Sequence, residues 1–233
     1  MNNRIEDRDF VRIIVKENPR ARNITMRLTD AGLIATVPVG ISHSELMKVI
    51  DKHRDALLQK KGKMKPESSI DENFQLNTLG FSVRIFRTER QDFYFTRKEK
   101  VLHVACPAAT NFESEAVRNL LVKGIERFLK ADARNYLPVR LKSLADKHGL
   151  SFSEVKINSS KSRWGSCSSR RSINLSFYMM LLPSHLIDYV LLHELTHTLE
   201  MNHSPRFWAR LDGFCGASSS ALRAELKAFR TRI

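Results

Sequence analysis

Short stretches that alternate apolar and polar residues dominate the first hundred positions, and this period of two predicts strands. Residues 10–16 fit one strand, and residues 23–28 and 33–38 fit the two arms of a β-hairpin. Further alternating stretches lie within residues 74–105. We therefore predict a β-rich N-terminal region over residues 1–105.

One helix is predicted inside this region, over about residues 42–61. Ser42 and Glu45 have the spacing of a capping box, and apolar residues then recur every three or four positions on one face. The charged segment that follows, residues 60–69, contains glycine and proline and predicts a linker or an exposed loop.

Beyond residue 105 the apolar period lengthens to three or four residues, which predicts helices. A second capping-box pattern, Thr110 with Glu113, opens a long amphipathic helix that Pro138 is expected to kink or divide. Residues 184–195 are apolar on nearly every side, which predicts a helix buried in a core. Residues 106–233 are predicted to form a second domain, so the chain as a whole is an α+β protein.

The net charge of the chain bears on its possible binding partners. Hydrophobic residues (42%) and charged residues (27%) are ordinary for a globular protein, but the net charge is +14. Such an excess predicts an acidic partner, for example nucleic acid or nucleotide, although a generally solvated basic surface is an equal alternative. Basic residues also interleave with aromatic ones in residues 81–100, a pattern that fits single-stranded nucleic acid or, more simply, a sheet with one aromatic core face.

The N-terminus, the apolar runs and the cysteines bear on the cellular compartment of the protein. The N-terminus lacks the apolar region of a signal peptide, and no apolar run is long enough to span a membrane. The three cysteines lie far apart, which is typical of a reducing compartment. We expect a cytoplasmic protein without a membrane partner, and the oligomeric state stays open.

The candidate chemistry is concentrated at the end of the buried helix. His193 and His197 are four residues apart, so both imidazoles lie on one helix face and can bind one metal ion. Glu194 is placed to act on a metal-bound water, and His203 would add a third ligand. Three protein ligands leave one coordination position open, which is typical of catalytic zinc sites. The pattern predicts a hydrolase with one zinc ion per chain.

The same part of the chain carries a resemblance to a known family. The residues involved are Arg163-Trp164-Gly165-Ser166-Cys167, Ile173-Asn174-Leu175, Pro183, Tyr189-Val190, His193-Glu194-Leu195-Thr196-His197, Asn202-His203-Ser204 and Phe207-Trp208. Together they resemble the YgjP-like metallopeptidases, which are related to the SprT-like zincins. The resemblance implies a minimal zincin-like domain with an active-site helix and a small mixed or antiparallel sheet. It also implies zinc on the three histidines and Glu194 as the catalyst.

Several roles stay open. Glu200 and Glu225 are rivals of His203 for the third ligand position. Zincins commonly need a further group to stabilise the oxyanion, and the strand predicted at 172–178 is expected to border the cleft as an edge strand. The candidates for the oxyanion or substrate group are Arg163, Tyr178, Tyr189 and His185.

Three functions are therefore weighed. The first is a zinc-dependent metallopeptidase acting on peptides. The resemblance implies the second, because members of the family have also been described as nucleotide (UTP) pyrophosphatases. The third is a nucleic-acid-associated module that uses zinc for folding, which would bind DNA or RNA in a salt-sensitive manner.

Overall fold

The computed structural model describes residues 4–29, 32–62, 70–231 and 233. The chain divides into two compact units, Met1–Ser68 and Ser69–Ile233. Within the described ranges, no helix is both long enough and apolar enough to cross a membrane. Most of the linker predicted at 60–69 lies outside the described residues.

The first unit contains a four-stranded sheet and two helices. Its elements are β1 (Arg4–Asp7), β2 (Val11–Glu17), β3 (Thr25–Thr29), β4 (Gly32–Val37), α1 (His43–Lys52) and α2 (Arg54–Gly62). The strand order is β1-β2-β4-β3; β2 and β4 are parallel, and the other two pairs are antiparallel. The antiparallel pairing of β3 with β4 confirms the predicted hairpin.

The sequence analysis described the helical part of this unit incompletely. Ser42 and Glu45 form both hydrogen bonds of the predicted capping box. However, the single helix expected over 42–61 is two helices that meet at His53. Strand β1 was not predicted, because three of its four residues are charged and one isoleucine gives no alternating apolar pattern.

In its described residues, the second unit combines two three-stranded sheets with four α-helices and one 3-10 helix. Its elements are β5 (Ser82–Thr88), β6 (Tyr94–Lys98), β7 (Val101–Pro107), α3 (Glu115–Lys147), β8 (Glu154–Asn158), β9 (Gly165–Cys167), β10 (Ser172–Ser176), a 3-10 helix (Phe177–Leu181), α4 (Ser184–Thr196), α5 (Pro205–Cys215) and α6 (Ser219–Leu226). The sheet orders are β5-β7-β6 and β8-β10-β9. This α+β architecture confirms the predicted fold class.

Helix α3 forms the centre of this unit. It buries a row of small and apolar side chains at every fourth position: Leu121, Ile125, Leu129, Ala133, Leu137 and Leu141. Pro138 neither divides nor ends the helix, because fully buried leucines on both sides of it hold the backbone against the core. The capping box predicted at Thr110 and Glu113 is wrong, since α3 begins at Glu115 with Ser114 as its N-cap.

The strands between residues 82 and 107 share this core. Val83, Ile85, Leu102 and Val104 are buried in the same cluster as α3 and α4. The division between compact units therefore falls between residues 68 and 69, and not after residue 105 as the sequence analysis expected. The predicted β-rich region thus contains two sheets that belong to different units.

The small sheet β8-β10-β9 corrects a further expectation. Strand β10 pairs in parallel with β8 on one side and antiparallel with β9 on the other. The strand predicted at 172–178 is therefore the central strand of its sheet over Ser172–Ser176, and β8 and β9 are the two edge strands. Strand β9 was missed because it has three residues, Gly165-Ser166-Cys167, too few for an alternating pattern.

Candidate metal centre and active site

Helix α4 carries the first two histidines. Nine of its thirteen residues are buried, and the helix packs against α3 and α5. His193 lies in its last turn and His197 is its C-cap, with the His197 amide donating to the His193 carbonyl oxygen at 3.3 Å. The helical spacing therefore places both rings at one end of a buried, rigid element.

A third histidine joins them from the segment before α5. The ligand nitrogens offered by His193, His197 and His203 all lie within 4.8 Å of one another. The Nε2 atoms of His193 and His203 are 3.0 Å apart, and the three pairs of ring centroids are 4.7–5.0 Å apart. Three nitrogens this close can share one cation.

Neighbouring groups hold two of these histidines in place. His197 Nδ1 donates to the main-chain oxygen of Glu200 at 3.1 Å, because a carbonyl can only accept; this leaves the lone pair on Nε2. The indole N–H of Trp208 donates to the His203 carbonyl oxygen at 3.2 Å, and the indole stacks on the His203 ring. Ser204 caps α5 by accepting from the amide of Phe207.

Glu194 lies beside the histidines and is 5% exposed. Its Oε2 has no hydrogen-bond partner among the described residues. Burial raises the pKa of Glu194 to about 8, opposed by the smaller effect of the positive charge on Arg163. Burial, followed by the neighbouring His197 and His203, lowers the pKa of His193 to about 3. A neutral imidazole is the form that binds metal.

These side chains face a cavity of about 540 Å³. Strand β9 forms one wall, and a Cβ atom placed on Gly165 would lie only 2.7 Å from Glu194 Oε1 and 2.8 Å from its Cγ. The absence of a side chain at Gly165 thus allows the edge strand to approach the carboxyl group. The residues lining the cavity are Ser162, Arg163, Gly165, Ser166, Cys167, His193, Glu194, His197, Met201 and His203.

The sequence model of the YgjP-like metallopeptidase domain matches residues 22–229. The chain belongs to the YgjP-like metallopeptidase family. As a member of that family it is a metal-dependent hydrolase. No curated protein sequence matches the chain.

Two solved structures are similar to part of this family member. The metallopeptidase zymogen abylysin of Pyrococcus abyssi is 22% identical, covers 42% of this chain and 99% of its own, and has a TM-score of 0.36. The metallopeptidase zymogen jannalysin of Methanocaldococcus jannaschii is 18% identical, covers 40% of this chain and 94% of its own, and also has a TM-score of 0.36.

Only one of the four candidates for the oxyanion or substrate group lines the cavity, and it is Arg163. Tyr178 is fully buried and donates its hydroxyl hydrogen bond to Glu126 on α3. Tyr189 is buried within α4, with its ring centroid 6.1 Å from that of His193, and is not among the lining residues. His185 pairs with Glu225 at 2.8 Å on the surface.

The two rivals for the third ligand position are occupied elsewhere. Glu225 is the partner of His185. The carboxylate of Glu200 lies 3.4 Å from Arg206 and 3.5 Å from Arg210. Among the described residues, neither carboxylate belongs to the three-histidine group. The contribution of Glu200 to the site is its main-chain oxygen, which sequence spacing alone could not reveal.

Proposed function

We propose that this protein is a zinc-dependent peptidase in which His193, His197 and His203 hold the ion and Glu194 is the general base. One observation carries the proposal. Three imidazole nitrogens converge within 4.8 Å beside a buried carboxyl group that has an oxygen without a partner. A buried polar group in this state is costly unless it serves a site.

The chemistry of the donor set supports zinc. Imidazole nitrogens suit zinc, whereas magnesium and calcium prefer oxygen ligands. Three protein donors leave a coordination position for the reacting group, as in catalytic zinc sites. When bound, zinc supplies Lewis-acid polarisation of the scissile carbonyl group.

The chain's own residues supply the remaining steps. Glu194 Oε2 accepts a proton from the attacking water and later transfers it to the departing amine. Burial raises the pKa of Glu194, which makes its carboxylate a stronger base for taking a proton from water. The walls formed by β9 and α4 shield this carboxyl group from bulk solvent.

Two features favour a peptide over a nucleoside triphosphate. The edge of β9 lines the cavity, so an extended peptide can add to the sheet through main-chain hydrogen bonds. Glu194 is the only carboxylate among the described lining residues, whereas a magnesium-bound triphosphate is usually held through carboxylates. We therefore place peptide hydrolysis ahead of UTP hydrolysis.

The test compares wild type with Glu194→Gln on a peptide library and on UTP. We expect the variant to keep one zinc per chain and to lose peptide cleavage by about 10³-fold or more, because it retains the shape of the side chain but cannot accept a proton. Full cleavage by the variant would remove Glu194 from the mechanism. Pyrophosphate release from UTP by wild type, without any peptide cleavage, would show that the substrate is the nucleotide and not a peptide.

A further inference from the structure

We propose that Arg163 binds a carboxylate of the substrate, so that the enzyme selects peptides with an anionic group next to the scissile bond. This inference rests on the proposed function and narrows its substrate class. It concerns a side chain that the catalytic steps above do not use.

The backbone on both sides of Arg163 is fixed by the small sheet. The main-chain oxygen of Trp164 accepts a hydrogen bond from the Ser176 amide at 2.8 Å, and Gly165 pairs with Leu175. On the other side, Ser176 Oγ donates to the main-chain oxygen of Ser160 at 2.7 Å. Arg163 is therefore presented at the cavity wall from a short segment anchored at both ends.

Arg163 is exposed, and its guanidinium makes no hydrogen bond or ion pair with any residue that the structure describes. Other arginines near the histidines are engaged. Arg206 and Arg210 lie beside Glu200, and Arg223 lies over the Trp208 ring at 5.4 Å from its centroid. Arg163 thus offers a planar set of N–H donors, a geometry that matches a carboxylate with two parallel hydrogen bonds.

The charge distribution of the cavity points to the same ligand. Among the described lining residues, Arg163 is the only arginine or lysine. Among the described residues Glu194 forms no ion pair with Arg163, so the guanidinium donors stay available to a substrate group. A substrate carboxylate would pair with Arg163, whereas a substrate lysine or arginine at that position would be repelled.

The carboxylate could come from a free peptide C-terminus or from an aspartate or glutamate side chain. Peptides with one common core separate these sources. One carries a free C-terminus, one is amidated and neutral, one is amidated with glutamate on either side of the cleaved bond, and one is amidated with lysine there. We expect wild type to favour one or both carboxylate peptides over the neutral one by about 10-fold to 100-fold in kcat/KM, the range of a charge-assisted hydrogen-bond pair.

Arg163→Gln should remove this preference, and Arg163→Lys should restore only part of it, because lysine keeps the charge but not the two-donor geometry. Arg170→Gln is the matched control, since Arg170 is exposed in the turn before β10 and is not a lining residue. An equal loss on all peptides in Arg163→Gln would mean that Arg163 serves the reaction and not selection, and would overturn the proposal.

Binding separates failure of this inference from failure of the proposed function. Calorimetry with Glu194→Gln measures the affinity for the same peptides without turnover. Tighter binding of the carboxylate peptides, lost in the double variant with Arg163→Gln, supports the inference even if wild type cleaves none of them. Equal binding of carboxylate and neutral peptides would overturn the role of Arg163. Cleavage of all peptides at the same rate would support the peptidase function but contradict the role of Arg163 in selection.

Discussion

Gly165 and Glu194 are in such close contact that a side chain at the glycine would displace the carboxyl group of the glutamate. A Cβ atom at Gly165 would lie 2.7 Å from Oε1, 2.8 Å from Cγ and 2.9 Å from Cδ of Glu194, all closer than real contacts allow. The pairing of β9 with β10 fixes the glycine, and helix α4 fixes the glutamate, so neither backbone moves easily. The contact sets the position of the carboxyl group relative to the histidines.

Replacing this glycine should therefore damage the site without removing the metal. In Gly165→Ala we expect kcat to fall by about 100-fold, the cost of misplacing a reacting group by roughly 1 Å, while zinc stoichiometry and the unfolding midpoint change little. Peptidase kinetics and metal analysis measure these outcomes. Gly213→Ala is the control, because a Cβ at Gly213 on α5 meets nothing within 4 Å; unchanged kcat in Gly165→Ala would contradict the contact.

The third ligand can be tested separately. His203→Ala should weaken zinc binding by on the order of 100-fold or more, since it removes one of three donors. Titration against a chelator of known affinity measures this loss. His185→Ala, which alters an exposed histidine paired with Glu225, should bind zinc like wild type. If His203→Ala bound zinc as tightly as wild type, another residue would be the third zinc ligand.

Trp208 should influence zinc affinity although it contacts no metal. Trp208→Phe removes the N–H that donates to the His203 carbonyl oxygen while keeping an aromatic ring in place. Such supporting hydrogen bonds typically change metal affinity by about 10-fold to 100-fold, and we expect the lower end because the ring contact survives. The same chelator titration provides the measurement, and an affinity equal to wild type would show that stacking alone holds His203.

In the first unit, Asp7 should make stability depend on acidic pH. Arg54 donates to both Asp7 oxygens, at 3.0 and 2.9 Å, and this interaction lowers the Asp7 pKa from 3.8 to about 2. Because the folded pKa lies below the unfolded one, the stabilisation, about 2 kcal/mol, is complete above pH 3.8 and is lost as the pH falls towards 2.

Urea unfolding followed by amide NMR signals of β1 and β2, near pH 5 and near pH 2, measures this effect. Asp7→Asn should lower the stability near pH 5 and flatten its dependence on pH. Glu6→Gln changes an exposed neighbour on the same strand and should behave like wild type. A wild-type stability that does not change between the two pH values would refute the assignment.

The sequence predicted best where the signal is local. The two histidines on α4 follow helical spacing. After His203, Ser204 and Pro205 are residue types that favour the start of a helix, and α5 begins there. Both features depend on residues a few positions apart. The division of the helix expected at Pro138 does not occur, because long-range packing of α3 outweighs the local preference of proline.

Contacts between distant segments could not be predicted in the same way. The partner of Tyr178 is Glu126, 52 residues away, and this hydrogen bond keeps the hydroxyl out of the cavity. Similarly, the role of Gly165 depends on a glutamate 29 positions later whose approach no periodic pattern encodes. The sequence placed Arg163 among four equal candidates, and the tertiary structure distinguishes it from the other three.

The chain has two tryptophans, and both lie next to the proposed zinc ligands or the cavity wall. Trp208 stacks on His203 with ring centroids 5.4 Å apart, and Trp164 directly precedes β9. Tryptophan fluorescence of the unlabelled protein therefore comes from the neighbourhood of the proposed site. Without any label, tryptophan emission should therefore report cation loading and ligand entry at this site, and no tryptophan of the first unit adds to the signal.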